Sequence, residues 1–229
     1  MSYKVIFRET LRLFGGYRLP WIFGALIIVC EVVQGGVARS IENQDATCIR
    51  YPLLLFAIYV SLVSKAGLIY STNQISMGQI PTFSDVWIFC RTKLFRILRL
   101  YFISIPLVMF AVFIPELVKM SEISSLLTFF VALLVSIFLT SLYTLGICAV
   151  VNNDLGAEMA LWIGLQLVFN KFLHVLVISG IYFILQLVLV VATGNMFIRV
   201  IVLVPFTVTM TLAYRVFTTK DSYPVLSNA

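Results

Sequence analysis

The sequence is short of charge. Only 11% of its 229 residues are Asp, Glu, Lys or Arg, against about one quarter in an ordinary water-soluble domain. With 61% of residues hydrophobic and a mean hydropathy of +1.05, the chain has too few polar groups to cover an apolar interior. A water-soluble globule is therefore excluded. Histidine is nearly missing as well, with one residue, His174. A single imidazole leaves no obvious partner set for a Ser–His–Asp arrangement. The four cysteines, Cys30, Cys48, Cys90 and Cys148, form no Cys-x-x-Cys or Cys/His pairing. They point to neither a disulfide framework nor a metal centre. Phosphate-binding loops, nucleophile elbows, paired catalytic carboxylates and zinc-binding helix motifs are all absent. The expectation is a noncatalytic protein without metal or cofactor.

What the chain does have is long apolar runs. A helix crossing the bilayer needs roughly 20 mostly apolar residues. Six stretches qualify, at about 20–38, 52–73, 100–118, 124–149, 174–193 and 197–216. They occupy most of residues 1–229, so a single membrane domain is expected and no soluble catalytic domain of ordinary size fits beside it. The first apolar run starts near Leu19, after a lead of nearly twenty amphipathic residues, and no small-residue cleavage site closes it. The pattern is that of a retained N-terminus and not of a secretory signal.

Three further segments are amphipathic: 2–16, 82–99 and 156–173. In the first, Lys4, Arg8 and Arg12 recur every four residues as one charged stripe, with Val5, Ile6, Phe7 and Phe14 elsewhere, the pattern of a helix lying among lipid headgroups. In the second, Ser84 is the expected N-cap, with Asp85 in the first turn. The third follows Asn152-Asn153-Asp154-Leu155-Gly156, where Asp154 is the expected capping carboxylate. Leu13-Phe14, Leu94-Phe95 and Val168-Phe169 hold similar places before the odd-numbered spans. Arg12 corresponds to Lys93 and Arg18 to Arg99. The expected fold is an all-α integral membrane protein of six transmembrane helices arranged as three hairpins, each preceded by an interfacial amphipathic helix.

Lys and Arg set the orientation. Lys4, Arg8, Arg12, Arg18, Arg91, Lys93, Arg96, Arg99, Lys171, Arg215 and Lys220 fall on the N-terminal side, and only Arg39, Arg50, Lys119 and Arg199 fall on the other. The positive-inside rule then places both termini in the cytoplasm of a cell (plasma or inner) membrane. The net charge of +6 has the same origin, and nucleic acid is not an expected partner. Membrane lipid is, together with protein partners in a membrane complex.

Two ionisable residues interrupt the spans, Glu31 in the first and Lys65 in the second. A charge in hydrocarbon costs at least about 2.5–3.5 kcal/mol on insertion scales, so such residues face the protein interior and find partners. Counted from the outer ends of the expected spans, their depths differ by about 9 Å at 1.5 Å per residue. They either fix the first hairpin or line a polar path. Gln166, Asn170 and His174, at i, i+4 and i+8, form a second polar stripe, read as hydrogen-bonding or headgroup-facing because two amides and one imidazole make a poor metal set. Glu158, Ala160 and Gly164 keep a spacing similar to part of the coupling-loop motif of bacterial ABC importer permeases, although the rest of that motif does not follow. A plain interfacial helix with a small residue for close packing is the competing reading.

Arg18-Leu19-Pro20-Trp21-Ile22-Phe23-Gly24, Asn153-Asp154-Leu155-Gly156-Ala157-Glu158-Met159-Ala160, and Pro205 with Leu212-Ala213-Tyr214-Arg215 give the chain a layout that resembles six-span bacterial and archaeal proteins related to the membrane domain of glycerophosphoryl diester phosphodiesterases. The resemblance covers nearly the whole chain and implies a noncatalytic membrane module, since the phosphodiesterase catalytic domain is not in this sequence. The leading functional expectation is an accessory or scaffold subunit of a larger membrane assembly. The alternative is a transporter permease or channel component with Glu31 and Lys65 lining a polar path.

Overall fold

A computed structural model gives the architecture. It describes residues 3–42, 50–120, 125–193 and 199–220, with side chains over a narrower set. Cys48, parts of the expected outer loops and the polar tail after Lys220 lie outside the described residues. The described residues form helices only: α1 (Tyr3–Gly16), α2 (Leu19–Glu42), α3 (Arg50–Ser76), α4 (Phe83–Met120), α5 (Ser125–Asn153), α6 (Ala157–Asn170), α7 (Phe172–Thr193) and α8 (Arg199–Lys220). Four helices are long and apolar enough to cross a membrane, within α2, α3, α5 and α8, or five if the bent pair α6–α7 counts as one span. Their outward faces carry Leu55, Phe56, Phe102, Phe130, Leu134 and Ile184, all well exposed. So much apolar surface is stable against lipid and not against water.

Local chemistry explains the helix boundaries. In α1, Ile6, Thr10 and Leu13 are buried while Arg8 and Arg12 are exposed, the two faces that helical periodicity demands. Arg12 pairs with Glu9 at 3.0 Å. Helix α3 ends at Gly78, whose φ of +83° suits a residue without Cβ; the Gln79 N–H then donates to the Gln74 carbonyl at 3.0 Å, closing a Schellman turn.

The cap of α4 is Thr82 and not Ser84. The Asp85 N–H donates to Thr82 Oγ1 (3.2 Å), and Asp85 Oδ2 accepts from both the Thr82 N–H (3.3 Å) and its hydroxyl (2.6 Å), a reciprocal box with Asp in the third helical position. Ser84 lies one turn position too late to close it. The expected interfacial segment 82–99 is also not a separate helix. It runs without a break into the apolar part of α4, whose 38 residues span about 57 Å, well beyond a hydrocarbon core of about 30 Å.

The helices pack in a repeating order. Helices α3, α5 and α8 each touch the other two. Helix α2 packs on α3 and α8, α4 on α5 and α3, and α7 on α8 and α5. Helix α1 lies on α8, and α6 on α5. Burial follows this order: 39% of the α2 span window is inside the protein, against 56% for α3 and for α5 and 61% for α8, so the latter three are central.

In lipid, association rests on close packing and interhelical hydrogen bonds, because the surroundings are as apolar as leucine. Gly67 accepts the Phe23 ring, which a Cβ there would approach to 2.6 Å; that ring is fully buried and stacks on Phe83 at 5.2 Å. Gly164 lets α6 settle onto α5, where a Cβ would lie 3.2 Å from the Leu142 carbonyl oxygen and 3.4 Å from the Gly146 nitrogen. Ser141 and Ser179 join α5 to α7 at 2.7 Å, and Tyr214 donates to Asn153 at 2.8 Å.

Candidate functional site

The central feature is a cavity of about 480 Å³. Its wall draws on α2 (Ile27, Glu31), α3 (Lys65, Ile69), α4 (Tyr101), α5 (Thr140, Tyr143, Thr144, Ile147), α7 (Ser179, Tyr182, Gln186) and α8 (Val202, Phe206, Thr207), among others. Both residues singled out by their charge in an apolar run therefore face the same space. Helix ends explain how. Helix α2 reaches Glu42 and α3 begins at Arg50, so the outer ends used to judge depth from sequence were too close to the middle. Measured at the opposite ends, Glu31 is twelve residues past Leu19 and Lys65 eleven before Ser76. At these ends the depths differ by about one residue, or about 1.5 Å, and counted from the outer ends Glu42 and Arg50 by four residues, or about 6 Å, in place of 9 Å.

The rest of the polar wall is hydroxyl. Tyr143 shares a 2.5 Å hydrogen bond with Ser104 and stacks on Tyr101 with ring centres 4.7 Å apart, so its ring is held from two sides. The Ser104 hydroxyl also lies 2.8 Å from its own helix's Tyr101 carbonyl. Tyr182 meets Thr209 at 2.9 Å, and Thr209 in turn meets Thr10 of α1 at 3.1 Å. A file of hydroxyls thus runs from the cavity wall to the amphipathic helix. Pro205 lies inside α8 and has no N–H, which frees the carbonyl one turn earlier, at Ile201.

The other candidates are dispersed. Helix α6 stops at Asn170, and α7 leaves it at 93°, so Gln166 and Asn170 are on one helix and His174 on the next. The three do not form a continuous stripe. His174 is edge-on to Phe217, centres 6.0 Å apart. Asp154 does not cap α6, whose N-cap is Gly156. Its carboxylate instead takes Lys93 and Arg96, and Arg96 also donates to the Asp154 carbonyl at 2.7 Å. A hydrogen bond from Lys93, together with the positive charges of Lys93 and Arg96, holds the Asp154 carboxyl below its ordinary value of 3.8. Its φ of 56° is left-handed, which Asp tolerates better than most residues. Glu158 pairs with Arg99, while Ala160 and Gly164 are buried, and Gly164 lies on α5. These contacts support close packing as the role of the Glu158–Gly164 segment.

Among the described residues no group of three His, Cys, Asp or Glu side chains could hold a metal ion. Cys30, Cys90 and Cys148 are free and buried.

Sequence reasoning found Glu31 and Lys65 but missed Tyr101, Tyr143, Tyr182, Gln186 and Thr207 as wall residues. Hydroxyls in apolar helices are ordinary packing groups, and only the register between helices separates those facing a cavity from those facing a neighbour. The fold and site together define a protein of membrane type, helical throughout its described residues, with a cavity of mixed polar and apolar wall that Glu31 and Lys65 both border. No family model, no curated protein and no solved structure matches the chain.

Proposed function

We propose that the chain crosses a cell membrane six times as three hairpins, with both ends in the cytoplasm, and that its central cavity binds a small polar or charged group and gives it a path within the bilayer. The observation that carries this reading is the meeting of Glu31 and Lys65 in one cavity whose walls come from six helices. Ionisable groups within membrane spans characteristically face the protein interior or a water-filled cavity and mark substrate or ion paths. Bundles built from repeated units characteristically place binding sites at the unit interface near the midplane. The cyclic contacts of α2, α4 and α7 around α3, α5 and α8 favour three equivalent units, and the excess of Lys and Arg beside the amphipathic segments favours the cytoplasmic assignment of that side.

The reading makes the protein a noncatalytic transporter permease or channel-like component. It ranks above a purely structural scaffold because a scaffold has no need of a polar hollow. We retain in the same proposal the resemblance to the membrane domain of glycerophosphoryl diester phosphodiesterases, which implies a noncatalytic module.

Thiol accessibility tests the reading. In a background with Cys30, Cys48, Cys90 and Cys148 replaced by Ala, Thr207→Cys in membrane vesicles is expected to react with a charged methanethiosulfonate at least tenfold faster than Val204→Cys, which is fully buried on the same helix. Equal, negligible rates at both positions would overturn it.

A further inference from the structure

A second cavity, of about 420 Å³, adjoins the first and has the opposite character. It is lined by Leu107 of α4, Leu134 and Phe138 of α5, Val168 of α6, and Phe172 and Leu176 of α7, with further aliphatic neighbours. Ile137 is common to both walls, so the cavity that holds Glu31 and Lys65 and the apolar groove meet at one residue of α5. One turn along α5, Ser141 bonds Ser179, itself on the polar wall, at 2.7 Å. The groove is open to the surroundings at its rim, where Leu134 is 49% and Phe172 48% exposed.

A polar hollow with one acidic and one basic side chain, next to an apolar groove open to the bilayer, is complementary to an amphiphile and not to a free solute. The acid and base together select a headgroup that carries both signs. A phosphate is favoured toward an ammonium and a quaternary or primary amine toward a carboxylate, and a net-anionic headgroup leaves the acid opposed. Hydrocarbon chain is the only abundant material in a bilayer that fills a groove of this composition.

From these observations we propose that the ligand is a zwitterionic phospholipid, its headgroup in the polar cavity with phosphate toward Lys65 and amine toward Glu31, and one acyl chain in the groove past Ile137. The proposal rests on the reading of the central cavity as a ligand site and names the ligand's class.

The test uses the whole chain in nanodiscs of phosphatidylglycerol with a trace of phosphatidylcholine bearing a diazirine in one acyl chain. Photolysis is expected to place adducts mainly on groove residues such as Phe138, Phe172 and Leu176, at least fivefold above the yield with a matched diazirine phosphatidylglycerol. Unlabelled phosphatidylcholine is expected to compete, and the water-soluble headgroup glycerophosphocholine is not. Lys65→Met is expected to lower the yield fivefold or more while Lys65→Arg keeps it, which separates loss of charge from loss of fold. Val175→Trp, filling the groove, is expected to lower the yield without slowing Thr207→Cys labelling.

Adducts spread evenly over outward residues such as Leu55, Phe102 and Ile184, or a yield indifferent to Lys65→Met, would overturn the phospholipid assignment. Equal competition by glycerophosphocholine would overturn it too, by assigning the cavity to a free solute. If Thr207→Cys still reacts in that case, the cavity remains a ligand site of another class; if it does not, both readings fall.

Discussion

The two faces of α5 are built to opposite rules. On one, Leu142 and Gly146 meet Gly164 of α6 so closely that an added methyl group would fit only if its neighbours gave way by a few tenths of an ångström. On the other, Thr140, Tyr143, Thr144 and Ile147 border an open cavity. The same helix thus holds a tight seam on one side and part of the cavity wall on the other. A seam formed by small residues supplies the dispersion contact that lipid cannot improve upon. A hollow edged with hydroxyls gives up that contact, and such a loss persists in proteins where binding requires it. The seam is the part that holds the fold, and the hollow is the part that function would use.

Substitutions can separate the two. The largest effect is expected from neutralising the hollow: Glu31→Gln with Lys65→Met takes two charges out of apolar runs, where a charge costs about 2.5–3.5 kcal/mol on insertion scales, and is expected to raise stability by up to about that amount. Thermal unfolding in detergent, followed by loss of monodisperse protein, would read this as a higher midpoint. A lower midpoint would mean that the two residues serve the fold, which would break the contrast.

Next comes the seam between α2 and α3. Gly67→Ala drives a Cβ into the Phe23 ring, which is buried and pinned by Phe83, so it is expected to lower stability by about 1–3 kcal/mol in spite of alanine's better helix propensity. Gly180→Ala, where nothing lies within 4 Å of the new methyl group, is expected to be neutral or stabilising by up to about 1 kcal/mol.

A third and smaller effect concerns the charged end of α4. Asp154→Asn keeps a side chain that tolerates left-handed backbone but loses the attraction to Lys93 and Arg96. The Asp154 carboxylate is 61% exposed, so the change is expected to be no more than about 1 kcal/mol. Its pH dependence has a definite sign. The Asp154 carboxyl is lowered from 3.8 in the folded protein, so its contribution is present above that value and disappears as the pH falls through the folded one. The difference between wild type and Asp154→Asn in denaturant midpoints should therefore be constant from pH 5 to 8 and close at lower pH. A gap that widens on acidification would contradict the assignment.

Much of the helical layout was readable from sequence, because apolar run length and helical periodicity are properties of one segment at a time. The amphipathic α1 follows from Arg8 and Arg12 on one face and Ile6 and Leu13 on the other. Glu31 and Lys65 stand out because charge in an apolar run is energetically conspicuous. What was not readable depends on pairs of distant segments. The break between the amphipathic segment 156–173 and the span 174–193 was expected, but it falls at Lys171, at φ −118°, ψ 31°, three residues early and with neither Gly nor Pro to mark it, which puts His174 on α7. Asp154 was assigned to a cap because its neighbours in sequence invite one, yet Lys93 and Arg96, about sixty residues away, hold it elsewhere. The hydroxyl wall of the cavity is equally a matter of register between helices, and single-segment periodicity is blind to that.

The central claim is that Glu31 and Lys65 face each other's space within one water-reachable hollow. Pairing Glu31→Cys with Lys65→Cys in the cysteine-free background and treating membranes with a short, water-soluble bifunctional methanethiosulfonate measures this directly. The account predicts one reagent molecule bridging both thiols within a single chain, seen as a single mass addition with no free thiol left. Two separate additions, or two thiols that remain unmodified, would contradict it.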